Sequence, residues 1–327
     1  MSKKNTIDQL KQADLRGRGG AGFPTGLKWE MVKQFSAKKK YIVCNGSEGD
    51  PSIAKDGFIL AHYPEQVING IKIALQTIDH SSAYLYLRTD YYQKYKTKLK
   101  KVIGRSPITL FKEIGGYLSG EETTLIETIE GNRQEPRMRP PYPPQSGLWN
   151  CPTLINNLET FYCVNQIATQ QYQRTRFYTL SGDLLNPGVY ELPINWSVKR
   201  ILQETNNLLS LRSKFFIQIG SGVSGEIIKS TELNRQVNGS GAIVVYKTKK
   251  HKPISLMRYW AKFFLDTNCG KCAPCREGIY RLNKLLCGNR INRRLLDDLL
   301  FVLEQTSFCP LGKSVTVPFR SLLDKIY

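Results

Sequence analysis

Apolar residues recur every three to four positions over 5–14 and 64–77. That period marks one buried face of an α-helix, and Pro64 suits the first helical position. The compact apolar runs at 40–44 and 83–87 instead predict short buried strands. Alternation of the two kinds of stretch over residues 1–172 predicts an α/β domain. Residues 135–149, Glu-Pro-Arg-Met-Arg-Pro-Pro-Tyr-Pro-Pro-Gln-Ser-Gly-Leu-Trp, hold too many prolines for either element and predict an ordered loop or strap.

The pattern changes after Arg176. Strand-like runs at 177–181, 188–192, 215–219 and 242–246 are separated by turns at Asn186-Pro-Gly and Asn238-Gly-Ser-Gly, with one helical stretch at 198–205. A small β-rich domain with one helix, 173–250, accounts for this. Past the basic linker 247–252 the helical period returns at 254–265, 276–286, 293–305 and 317–326, predicting a helical third domain, 251–327.

Composition narrows the class. At 327 residues, 41% hydrophobic and 23% charged, the chain has enough material for two or three ordinary globular domains. Its formal charge of +20 would suit nucleic acid or an acidic partner, but the excess divides as +7, +6 and +7 over the three predicted domains. Without a basic tail or stripe, a nucleic-acid function is not expected. Lys38-Lys39-Lys40, the densest run, reads as a solvated face. Residues 1–11 lack an apolar leader core and no apolar run reaches the roughly 18 residues of a membrane span, so a cytoplasmic protein with no direct span is expected.

Five of the eight cysteines fall in the last 59 residues. Cys269-Gly-Lys-Cys272-Ala-Pro-Cys275 sets three thiols around one loop, and Cys309 follows 34 positions later. A cuboidal 4Fe–4S cluster needs this kind of corner spacing. Zinc more often takes two separate Cys-x-x-Cys knuckles or adds histidine, and His62, His80 and His251 are not suitably spaced, yet spacing alone leaves zinc open. Cys44, Cys151, Cys163 and Cys287 read as small core residues. A second signal is Gly17-Arg18-Gly19-Gly20-Ala21-Gly22-Phe23-Pro24-Thr25-Gly26, whose glycines let backbone N–H groups approach a phosphate or flat ring; a plain flexible turn is the competing reading. Asn45-Gly46-Ser47-Glu48, Gly120-Glu121-Glu122-Thr123 and Asn156-Asn157-Leu158-Glu159 are a third group, fit either for turn and cap chemistry or for gripping ribose and ring edges.

These segments, in this order and over nearly the whole chain, resemble the NADH- and FMN-binding flavoprotein subunit of respiratory complex I and related subunits of NAD-linked hydrogenases and formate dehydrogenases. The resemblance also draws on Leu27-Lys28-Trp29, Tyr117-Leu-Ser-Gly-Glu-Glu-Thr, Pro140-Pro-Tyr-Pro and Ser181-Gly-Asp with Pro187-Gly-Val-Tyr. It implies an α/β domain holding FMN with NADH stacked over it, a ubiquitin-like β-grasp (SLBB-type) domain, and a C-terminal helical 4Fe–4S bundle. FMN contacts carry over onto Gly17, Arg18, Gly19, Gly20, Lys28, Asn45, Glu48, Gly120, Glu121, Glu122, Asn156 and Asn157. NAD(H) would lie along the same loop near Phe23, Glu48 and Tyr142, and Cys269, Cys272, Cys275 and Cys309 would ligate the cluster.

Chemistry belongs to the cofactors in such a protein, so no side-chain acid or base is assigned. The implied activity is NADH dehydrogenase, with electrons leaving to a thioredoxin-like 2Fe–2S subunit and other subunits of a redox complex, in the cytoplasm or peripheral to a membrane complex. The chain departs from the family pattern at Ser47, where an aspartate is usual, at Met31 and Tyr142 in aromatic positions, and at Arg139 for lysine. Two other functions stay open on the residues: a flavin and iron–sulfur electron-transfer subunit that no longer uses NAD(H), and a zinc-stabilised nucleotide-binding scaffold.

Overall fold

The computed structural model describes residues 5–211, 213–288 and 290–327, so the first four of the charged residues 1–11 lie outside it. The chain divides into two compact units, one running to Gly49 and resuming over Ala54–Phe177, the other taking Asp50–Ile53 and Tyr178–Tyr327.

The first unit contains α1 (Thr6–Gln12), α2 (Thr25–Gln34), β1 (Lys40–Gly46), α3 (Lys55–His62), α4 (Pro64–Thr77), β2 (Ser81–Leu87), α5 (Thr89–Ile103), β3 (Ile108–Lys112), α6 (Glu122–Glu130), β4 (Thr153–Asn157) and α7 (Leu158–Ala168). Local chemistry sets several boundaries. Pro64 opens α4, Asn5 accepts from the Ile7 amide to start α1, and left-handed Gly131 (φ 81°) ends α6. The four strands are parallel in the order β3-β2-β1-β4. β1 is therefore central, and strand order reverses between β1 and β4. In open α/β sheets the crevice at the carboxyl ends beside that reversal is where ligands bind. Register places Asn45 of β1 directly beside Asn157 of β4 at this end.

The helix α5 lies outside every stretch expected to be helical. Its buried face is Tyr91, Tyr95, Leu99 and Ile103, a four-residue period hidden in the sequence by lysines and by the use of tyrosine as a core residue. The proline-rich segment is an ordered loop held by Arg137, whose guanidinium bonds Glu127, Glu130 (both 2.5 Å) and the Gly147 carbonyl (3.0 Å). Lys38 and Lys39 are exposed, but Lys40, expected on a solvated face, is buried, with its ammonium on Asp79 (3.0 Å) and the Lys33 carbonyl (2.9 Å).

The second unit begins as a five-stranded sheet: β5 (Thr175–Gly182), β6 (Gly188–Pro193), the helix α8 (Val198–Glu204), β7 (Phe215–Gly220), β8 (Glu226–Lys229) and β9 (Ala242–Lys247), in the order β6-β5-β9-β7-β8. β5 and β9 are parallel; β7 is antiparallel to β8 and β9. Val198, Ile201 and Leu202 of α8 bury against Tyr178, Ile217, Ile243 and Val245 of the sheet. Then come α9 (Pro253–Thr267), α10 (Ala273–Cys287), α11 (Arg293–Thr306), α12 (Pro310–Ser314) and α13 (Thr316–Lys325). None of the eight cysteines is in a disulfide. Cys44 and Cys163 are core residues as expected; Cys151 is only partly buried and Cys287, the last residue of α10, is exposed, because that helix end is polar and solvated.

Candidate functional site

The glycine loop is closed at its base. The Gly17 amide bonds the Phe23 carbonyl (2.9 Å), and the Thr25 amide, at the start of α2, bonds the Leu15 carbonyl (2.8 Å). Between these ties Gly20 and Gly22 have φ of 121° and 67°, conformations that favour glycine. Gly19 approaches Asn157 so closely that a Cβ there would stand 3.2 Å from the asparagine Cβ. Gly19, Gly20 and Gly22 leave the backbone of this exposed to half-buried turn clear of side chains. A backbone without side chains lets a phosphate or a flat ring approach its N–H groups closely.

Beneath the loop lies a network of buried charge. Lys55, 2% exposed, donates to Asp56 (2.9 Å) and Asn157 Oδ1 (2.8 Å) and pairs with Glu159 (3.1 Å). Burial works against its charge, but Asp56, Glu159 and Glu48 outweigh that and push its pKa up. Glu159 is held below the usual carboxylate range because Lys55, Arg176 and Arg18 overcome the effect of burial. Asn157 also donates to the Asn45 carbonyl (3.2 Å) and Asp56 (2.8 Å), and accepts from the Glu159 amide as the cap of α7 (3.1 Å). Thus β1, α3, β4 and α7 are fastened together just below the loop.

The other sequence-predicted residues surround this point. Asn45 donates to the Gly120 carbonyl (2.9 Å), bringing Gly120, Glu121 and Glu122 alongside the β1 end. Glu121 caps α6 through the Thr123 and Thr124 amides (3.0 and 2.8 Å) and pairs with Arg139 of the proline-rich loop. Lys28 projects from α2 to Glu122 (2.5 Å) and the Ile155 carbonyl (3.1 Å), with its ammonium 6.0 Å from the Phe23 ring centroid. Asn156 accepts from the Trp29 indole (2.9 Å). Phe23 and Tyr142 are exposed aromatics, as a stacking role requires. Glu48 accepts from the Asp56 amide (3.0 Å) and the Tyr91 hydroxyl (2.6 Å); burial, then the neighbouring Asp56 charge, raises its pKa to about 7.

Arg18 is brought to the site by its backbone rather than its charge. Its amide bonds Thr160 Oγ1 (3.0 Å), while its guanidinium turns into the protein toward Tyr172 (3.0 Å) and Glu159 (3.9 Å). Sequence reasoning missed Lys55, Asp56 and Glu113. Glu113, buried at the end of β3, accepts from the hydroxyl of Ser47, and burial raises its pKa. Its only signal was a carboxylate directly after a strand.

In the second unit, Cys272 caps α10 and Cys275 lies in its first turn, while Cys309 caps α12. Cys275 and Cys309 are buried, Cys269 and Cys272 partly so. The four thiols are electrostatic neighbours: burial, then Cys272, Cys309 and Cys269, pushes the Cys275 thiol up to about 12. Among the described residues no three His, Cys, Asp or Glu side chains converge closely enough to hold a single metal ion. Four cysteine sulfurs brought near one another are the donor set that a 4Fe–4S cluster takes. The α10 N-terminus adds a dipole that favours the negative charge of a thiolate-bound cluster.

A glycine loop at the sheet's switch point in one unit and four neighbouring cysteines in the other suit the class of iron–sulfur flavoproteins. The sequence profile of the Nuo51 FMN-binding domain matches residues 10–166, and that of the NADH-ubiquinone oxidoreductase-F iron-sulfur binding region matches residues 255–326. An F-type NADH-quinone oxidoreductase subunit of Rhizobium meliloti is 31% identical, over 97% of this chain and 86% of the relative. Its counterpart in Streptomyces coelicolor is 32% identical, over 99% and 81%. A crystal structure of an NAD+-reducing NiFe-hydrogenase in the H2-reduced state superposes with a TM-score of 0.91 at 29% identity, covering 98% of this chain and 61% of that one. This chain therefore spans about three-fifths of the hydrogenase chain. It belongs to the family of F-type NADH-quinone oxidoreductase subunits, oxidoreductase components with FMN and 4Fe–4S domains.

Proposed function

We propose that this chain is the electron-input subunit of a multisubunit oxidoreductase, taking electrons from NADH through FMN and passing them singly by way of the 4Fe–4S cluster to a partner subunit. When bound, FMN supplies the exchange between two-electron hydride chemistry and one-electron transfer. The protein's own work is alignment. The Gly19–Gly22 amides would hold the flavin phosphate, and Asn45, Asn156 and Glu122, fixed at the carboxyl ends of β1 and β4 or beside them, would orient the ring system. Phe23 and Tyr142 would present flat faces to the nicotinamide nucleotide. The observation that carries this reading is the glycine loop set against Asn157 at the sheet's topological switch point.

The middle of the chain supports a β-grasp domain: two hairpin-like strand pairs joined through α8, with first and last strands parallel and adjacent in the sheet's centre. We read 1–172, 173–250 and 251–327 as the flavin, β-grasp and cluster domains. The partner we propose is a thioredoxin-like 2Fe–2S subunit, and the compartment the cytoplasm or the surface of a membrane complex. Among the described residues no helix is long and apolar enough to cross a membrane.

The test is the visible spectrum of anaerobically purified protein with equimolar FMN, before and after NADH. Bleaching of the flavin band, with about four irons and four sulfides per chain, is the expected result; a flavin band indifferent to NADH would overturn the nucleotide assignment. Cys272→Ala should abolish the iron and sulfide while leaving flavin bound, because the two pockets are built from separate segments.

A further inference from the structure

The last turn of α11 leads through Ser307-Phe308 into Cys309. Ser307 is 4% exposed, and its hydroxyl has no hydrogen-bond partner within the protein. Such a group forfeits its bond to water on folding and is costly unless something else accepts from it. Gly312, in the second position after the α12 proline, shows what lies beside it: a methyl at Gly312 would fall onto the Ser307 hydroxyl and stand 3.3 Å from Cys275 Sγ. The hydroxyl and the most buried part of the cysteine set thus press on the same small volume. Other donors nearby are engaged elsewhere. Lys271 lies over the Phe308 ring (5.3 Å), and Arg276 donates to the Gly270 carbonyl (2.8 Å) and Glu277 (3.0 Å).

We propose that Ser307 is a potential-setting residue: its hydroxyl donates a hydrogen bond to a sulfur on the Cys275 side of the cluster, and Gly312 is held to glycine so that the two can meet. This rests on the four cysteines holding a 4Fe–4S cluster. A donor aimed at cluster sulfur stabilises the added negative charge when an electron arrives, and so raises the reduction potential.

The experiment is a redox titration of the cluster, followed by its paramagnetic signal, in the wild-type protein and in Ser307→Ala and Ser307→Cys, with iron and sulfide measured in each. Loss of the donor in Ser307→Ala should lower the potential by about 59 mV, a tenfold change in the one-electron equilibrium. Ser307→Cys, a weaker donor, should give a smaller fall in the same direction. An unchanged or raised potential in a variant with a full cluster overturns the proposal. So does loss of the cluster from both variants, which makes Ser307 a structural prop. Wild-type protein without iron and sulfide marks instead a failure of the cluster assignment itself.

Discussion

At the scale of single residues, the flavin pocket is shaped by two constraints that substitution can separate. Gly19 stands where a Cβ would crowd Asn157, so the branched side chain of valine would push the exposed loop off the strand end and fill the space a ligand needs. Gly19→Val should therefore fold normally but fail to retain flavin through gel filtration, measured as the ratio of visible to ultraviolet absorbance. Glu48 offers a test by pH. Its folded pKa, about 7, lies above the roughly 4.3 of an exposed glutamate, so the folded protein binds the extra proton between those values. Its contribution is fully present below about pH 4 and is lost as pH rises through 7. In the apoprotein, Glu48→Gln removes that dependence. The melting temperature of the variant relative to wild type should rise between pH 5 and pH 8; a constant difference would mean that Glu48 is ionised throughout.

Among elements, the decisive joint is Lys55, which ties α3 to β4 and α7 through Asp56, Asn157 and Glu159. Removing one member of a buried charge set leaves the others uncompensated, so Lys55→Met should destabilise the unit by about 3–5 kcal/mol. Adding Glu159→Gln should recover part of that loss, seen in urea unfolding as a midpoint that moves back toward wild type. This joint was the least legible part of the site. A lone lysine and a glutamate 104 positions apart carry no periodicity and resemble solvated charges; only the parallel pairing of β1 with β4 brings them together. The glycine loop and the asparagine and glutamate turns were visible as chemistry, but equally as turns and caps. Asn157 and Glu121 serve as caps as well as lying at the site, so both readings of those residues apply. The cysteine set was legible as a set because its spacing is too close for chance core residues, and the fold does bring Cys309 to the other three. Helix α4 was legible from its period and Pro64, whereas α5 was hidden because its buried face is half tyrosine.

For the whole molecule, the excess of +20 charges is spread along the chain, and many of its basic residues are exposed rather than committed to buried pairs as Lys40 and Lys55 are. Such a surface favours encounter with an acidic partner without specifying one docking face, because complementary charge raises association rates more than it fixes affinity. The proposed electron path makes this testable, since electrons that enter at the flavin would leave across a protein interface. With a small uncharged dye as acceptor, NADH oxidation should be nearly indifferent to salt. With a 2Fe–2S protein partner it should slow steadily as ionic strength rises from about 0.01 to 0.5 M, as the Debye length contracts from about 30 Å to well below 10 Å. Stopped-flow reduction of the partner, measured at limiting concentration so that encounter is rate-determining, separates this from an effect on the flavin. If both acceptors respond equally, the charge acts on nucleotide binding; if neither responds, it serves solubility alone and the partner is recognised by shape and apolar contact.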